Sequence, residues 1–163
     1  MTSLPLHPAV VHVPLGLAFV IPALAIGFAW AVWSGRVRLR AWIVIAGLQA
    51  VLFGAGLLAM NTGEREEDRV EAVVPDAALD RHEMYAEQFL WATGITLVLA
   101  GLVPVLRQRA LSKALMSATI AGSLVVAAAA VRVGHAGGQL VYVHNAGSAY
   151  APGRVVHVRP LAK

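Results

Sequence analysis

PAVVHVPLGLAFVIPALAIGFAWAVW, residues 8–33, decides the class of fold. It holds no Asp, Glu, Lys or Arg, and His12 is its one titratable side chain. A hydrocarbon core about 30 Å thick is crossed by about 20 residues of helix, so this run is long enough to span a bilayer. Three further apolar runs, 41–60, 85–106 and 114–133, are also long enough to span. The composition agrees: 58% of the 163 residues are hydrophobic and 13% are charged, against about 25% charged in a soluble domain. A secretory signal would begin with basic residues and end its short apolar core at a cleavage site. Residues 1–12 contain no Lys or Arg and the run that follows is too long, so the first helix is expected to be retained.

The connections orient the helices. The first carries Arg36, Arg38 and Arg40, and the third carries Arg107, Arg109 and Lys113, with no acid in either. Basic connections face the cytoplasm. Four crossings then place both termini, and a long loop over residues 61–84, on the periplasmic side of a bacterial inner membrane. The expected architecture is all-α: one domain over residues 1–163, an antiparallel four-transmembrane-helix bundle with a long periplasmic loop and a short irregular periplasmic C-terminal segment. Trp30, Trp33 and Trp42 read as interface anchors near the cytoplasmic boundary. Ala50 and Gly54, and the alanines 127–130, read as close helix contacts, and Pro14, Pro22 and Pro104 should bend or loosen their helices.

This topology gathers the polar chemistry on one side. All nine acidic residues fall there, as do all six histidines, His7, His12, His82, His135, His144 and His157. Glu64, Glu67 and Glu71 share a face if their segment is helical, and Glu83 and Glu87 are one turn apart. Glu87 lies several residues into the third apolar run, where a carboxylate needs a partner or a watery cavity. After the fourth run, "VGHAGGQLVYVHNAGSAYAPG", residues 133–153, has glycines that permit sharp turns, and "QLVYV" reads as a short strand or an interfacial helix.

The start "HPAVVHVPLGL", the Thr62–Gly63 pair, His82 and the closing "GGQLVYVHNAG" together resemble the bacterial family of predicted membrane proteins named domain of unknown function 2231. The resemblance covers essentially the whole chain and maps onto His7, Pro8, His12, Pro14, His82, Gly137, Gly138, Leu140, Val141, Tyr142 and His144. His135 has no counterpart in the pattern, and Asn145 stands where glycine is expected. Some members are joined to Rieske iron–sulfur or cytochrome c modules, which implies redox work by analogy.

Imidazole is a common ligand for haem iron, copper and zinc. His7 and His12 are five residues apart, about 140° around a helix, so only one of them can face the bundle centre. The deeper His12 is the expected axial ligand of a b-type haem, paired with His82 on the diagonally opposite helix. His7, His135 and His144 then surround the propionates or stand behind the ligands, and Phe89, Leu90 and Val11 line the slot. The alternative is a Cu or Zn site built from His12, His82 and Glu87 with Glu64, Glu67 and Glu83. A third reading is a non-catalytic scaffold subunit of a larger membrane complex. The first implies a periplasmic cytochrome c or Rieske-type redox partner, and all three imply contact with the lipid bilayer. The absence of Cys excludes thiolate clusters and c-type haem attachment. Nucleic-acid binding has no support, because the arginines are spread over both ends without a stacking platform, and no hydrolytic triad appears.

Overall fold

A computed structural model describes residues 5–106 and 108–151. Arg107 and His157 lie outside the described residues. Every regular element described is helical: α1 (His7–Val10), α2 (His12–Trp33), α3 (Ile43–Glu71), α4 (Asp76–Leu102) and α5 (Arg109–Tyr142), with 3-10 turns at Leu39–Trp42 and Ala146–Tyr150. His7–Trp33, Leu39–Glu71 and Arg109–Tyr142 are long and apolar enough to cross a membrane. α4 falls outside that group, since its first half carries Asp76, Asp80, Arg81, Glu83 and Glu87.

The break between α1 and α2 falls at Val11. Pro14 explains it: with no N–H it cannot bond to the Val10 carbonyl four residues back, and its ring crowds that carbonyl. Pro22, by contrast, sits inside a continuous α2. Pro104 lies beyond the last residue of α4, so it ends that helix rather than bending it. The long loop expected over residues 61–84 is instead a helical hairpin. Between Gly63 and Pro75 the chain has no breaker and is rich in Glu and Arg, good helix formers, so α3 runs on to Glu71. Pro75 then forces an extended turn and begins α4 at Asp76.

Among the described residues, the expected irregular C-terminal segment is likewise mostly helical. α5 continues through Gly134, Gly137 and Gly138 to Tyr142, and neither a strand nor a sharp turn forms at "QLVYV". The turn comes at Asn145, whose φ of 54° puts it in the left-handed region. Asparagine tolerates that region better than other non-glycine residues.

α2 and α4 each pack against α3 and α5, so they face one another across the bundle. The core runs along stripes three and four residues apart: Pro14, Ala18, Ile21, Ala25 and Ala29 on α2, and Phe89, Thr93, Thr96 and Ala100 on α4. It is small and partly polar. Gln49 donates to Ser123 Oγ at 2.9 Å, and Ser123 donates to the Thr119 carbonyl at 2.8 Å. The large apolar side chains point outward, among them Phe19, Leu58, Trp91, Ile95, Val98 and Val125, the reverse of a water-soluble domain.

Two expectations are corrected by this packing. Trp30 and Trp33 are exposed, but Trp42 is fully buried beside Ala25, Ala29, Val103 and Met116. Ala50 and Gly54 face outward. The close approaches are made instead at Gly56 against Leu90, at Gly94 against Phe53 and at Gly122 against Thr96.

Candidate imidazole site at the mouth of the bundle

The helix ends near α1 bring together the two histidines that lie on the core stripes. His7 is seven residues before Pro14, and His82 is seven residues before Phe89, so each extends its helix's inward face by two turns. Their rings stand 6.4 Å apart, centroid to centroid, at 89° to one another. Each leans on a glycine of a flanking helix. A Cβ on Gly63 of α3 would come within 3.2 Å of the His7 ring, and one on Gly137 of α5 within 3.2 Å of the His82 ring. Both glycines are the residues that the spacing of their own helices' stripes calls inward.

His7 is oriented by α3. Its Nδ1 lies 2.8 Å from the Ala59 carbonyl and 3.3 Å from Thr62 Oγ1. A carbonyl can only accept, so Nδ1 carries the proton and Nε2 keeps its lone pair. Thr62 also donates to the Ala59 carbonyl, at 2.8 Å, which satisfies the hydroxyl and holds the Thr62–Gly63 turn inside the helix. His82 is less well served: its Nδ1 is buried without a hydrogen-bond partner. Burial, and then the neighbouring His7 ring, hold the His82 pKa below the usual imidazole value, with a backbone hydrogen bond to Val133 acting in the other direction.

The site differs from the one expected. His12 is exposed on the outer face of α2, so the imidazole that meets His82 is that of His7. Depth in the apolar run was the wrong criterion, and membership of the stripe of small residues was the legible signal. His135 is exposed and His144 half-buried, and neither ring contacts the pair. Phe89 and Leu90 lie deeper and line no slot: Phe89 joins Ala18, Ile21, Leu52, Val126 and Ala130 in the core, and Leu90 packs at Gly56.

The carboxylates form no ligand set. Glu64, Glu83 and Glu87 are exposed and Glu67 is half-buried. Glu87 therefore faces outward, where water solvates it without a partner. Among the described residues no three His, Asp or Glu side chains converge on a point where a metal ion could sit, so His12, His82 and Glu87 do not assemble. These acids do crowd one another. Partial burial, then Glu67, Asp80, Glu87 and Glu64, push the Glu83 carboxyl above its ordinary range. Nearby, Tyr150 donates to Glu66 Oε2 at 2.7 Å, and Arg69 lies 3.6 Å from the same carboxylate, so the last 3-10 turn is clasped to the end of α3.

Two imidazoles on neighbouring helix ends, one with an unprotonated Nε2 and the other with a buried unpaired nitrogen, are the side chains here that could hold a metal or cofactor. The nitrogen of a ligated imidazole sits about 2.0–2.1 Å from its metal and the ring centre about 1 Å further. The 6.4 Å separation is about twice that sum. A pair of glycines removes side chains from the positions on α3 and α5 level with the rings.

No curated protein and no solved structure matches the chain. One family does match, over residues 3–150, a stretch that includes both histidines, both glycines and the Thr62 contact: the chain belongs to DUF2231, the family described as predicted membrane protein.

Proposed function

We propose that the protein is a membrane-embedded electron-transfer protein that binds a b-type haem at the mouth of its bundle, where His7 and His82 would hold it. The observation that carries this reading is the ring pair, 6.4 Å apart, with His7 on the short α1 that leads into α2 and His82 on α4, which faces α2 across the bundle. The His7 bond to the Ala59 carbonyl supports it, because ligating histidines donate their other N–H to an outer partner that sets tautomer and ring orientation. Gly63 and Gly137 support it as well, since a flat macrocycle needs flanking helices without side chains at its level. When bound, such a haem supplies one-electron transfer. The chain's residues hold the imidazoles in place, and the apolar core below excludes water. The acid-rich mouth is the face on which a soluble cytochrome c or Rieske-type partner would dock.

In this reading α4 also crosses the membrane. Its outward residues Trp91, Ile95, Val98 and Leu102 recur at helical spacing and suit lipid. The arginines of the connections orient the bundle in a bacterial inner membrane with both termini periplasmic. A reporter fused at the C-terminus should be active only if it is periplasmic, and activity in the cytoplasm instead would overturn the orientation.

A visible spectrum of the protein, purified after expression with ample haem supply, tests the centre. A Soret band with sharp low-spin α and β bands is expected. His7→Ala or His82→Ala should each abolish the low-spin form, and His12→Ala should leave it intact. No Soret absorbance in the wild type would refute the haem reading.

A further inference from the structure

Beside the imidazole pair, the start of α4 and the end of α5 enclose a crevice of about 260 Å³, lined by Pro75, Ala77, Ala78, Arg81, Ala136, Gln139 and His144. Ligand pockets for drug-sized molecules run from about 300 to 1,000 Å³, so this one suits a small group. Its polar lining consists of a guanidinium, a carboxamide and an imidazole, with no acid. The surroundings are of the opposite kind: all nine Asp and Glu residues lie between positions 64 and 87, and Glu83 is crowded by four of them. Arg81 sits within that run, yet among the described residues it makes no ion pair, whereas Arg69 is held by Glu66 at 3.6 Å. Arg81 is exposed at the rim of the crevice, where it, Gln139 and His144 offer N–H donors to an anion from outside the chain.

The geometry points to a binding site for a phosphate-type oxyanion in this crevice, held by Arg81, Gln139 and His144. The guanidinium presents paired N–H donors that match two oxygens of a phosphate. Gln139 and His144 approach from α5 and the turn after it, so donors come from more than one direction. That arrangement suits a tetrahedral anion better than a planar carboxylate. The first turn of α4 forms one wall and its dipole has the same sign. The site is independent of whatever His7 and His82 hold. A free phosphate and a phospholipid headgroup share this chemistry.

The test is calorimetric titration of the full-length protein with inorganic phosphate at constant ionic strength, in maltoside micelles, which carry no phosphate of their own. Saturable one-site binding is expected. Arg81→Gln should weaken it at least about tenfold, as loss of a charge-assisted bidentate contact requires. Arg81→Lys should recover part of it, because the charge returns without the fork. Gln139→Ala, on the second wall, gives an independent reading and should weaken binding about threefold. Arg36→Gln, at the other end of the bundle, should change nothing. Absence of saturable phosphate binding, or equal affinity in wild type and Arg81→Gln, overturns the proposal. Repeating the titration in nanodiscs separates the sources. Phosphate excluded by phosphatidylglycerol identifies a lipid headgroup as the occupant, and phosphate still bound identifies the free anion.

Discussion

At the end of the bundle beside the connection from α2 to α3, Trp42 fills the space between helices, packed on Ala25, Ala29, Val103 and Met116 and sealed from solvent. At the opposite end the same four helices meet over two imidazoles seated on two glycines, with a buried ring nitrogen left unpaired. One end is closed mainly by apolar volume, although the Trp42 indole N–H is buried there without a partner. The other buries an unpaired imidazole nitrogen, so each end carries an unsatisfied polar atom, which costs about 1–3 kcal/mol when buried. The difference lies in what the unpaired groups can do: an indole nitrogen can only donate, whereas an imidazole nitrogen can also accept.

That contrast predicts unequal responses to mutation. The largest belongs to the packed end. Trp42→Ala should cost about 3–5 kcal/mol through the cavity it leaves, measured by denaturant titration in micelles, and should leave the ring NMR signals of His7 and His82 unmoved. A change at the histidines would mean that the ends are coupled.

Gly137→Ala acts at the mouth. Its new methyl would stand 3.2 Å from the His82 ring, so the ring must move, at about 1–3 kcal/mol for overpacking. The diagnostic readout is the His82 ring shift, which should change while the Trp42 indole signal does not. An unmoved imidazole would show that the glycine is no seat.

Tyr150→Phe loosens the clasp on α3. It removes the 2.7 Å bond to Glu66 and should cost about 1 kcal/mol, the lower side for a bond to a charged acceptor because the pair is half-exposed. Hydrogen exchange should quicken over the end of α3 and leave the core of α5 protected.

The smallest effect concerns pH. Glu83 has a raised pKa in the folded protein, so the folded state binds its proton more readily than the unfolded chain. Its contribution to stability therefore rises as pH falls through that raised range and is lost above it. Glu83→Gln should stabilise the protein slightly at neutral pH and remove this part of the pH dependence. An unchanged profile would mean that water screens the acidic face completely.

Much of the fold was legible. Long uncharged runs announced membrane helices, because composition alone fixes their cost in water. The acidic stretch was harder. Residues 64–71 are polar and fall within the expected loop over 61–84, yet they also read as a solvated helix extension with Arg65 and Arg69. Hydropathy measures affinity for lipid, while helix formation depends on backbone propensity and on breakers, and none stood before Pro75. The histidines were half legible. Helical geometry required that only one of His7 and His12 face inward, and the small residues at Pro14, Ala18, Ala25 and Ala29 already marked which face that was.

By itself the sequence determined that this chain is helical, that its apolar surface belongs in lipid and that its acidic residues gather in one stretch, because hydrophobic run length and charge order are properties of the chain before it folds. Tertiary structure alone decided which imidazole meets His82, that Glu87 turns outward, that Trp42 turns in and that Gly63 and Gly137 receive the rings. Those outcomes depend on the rotation of each helix about its own axis, which is set by the packing of all four stripes against one another and by no residue's neighbours along the chain.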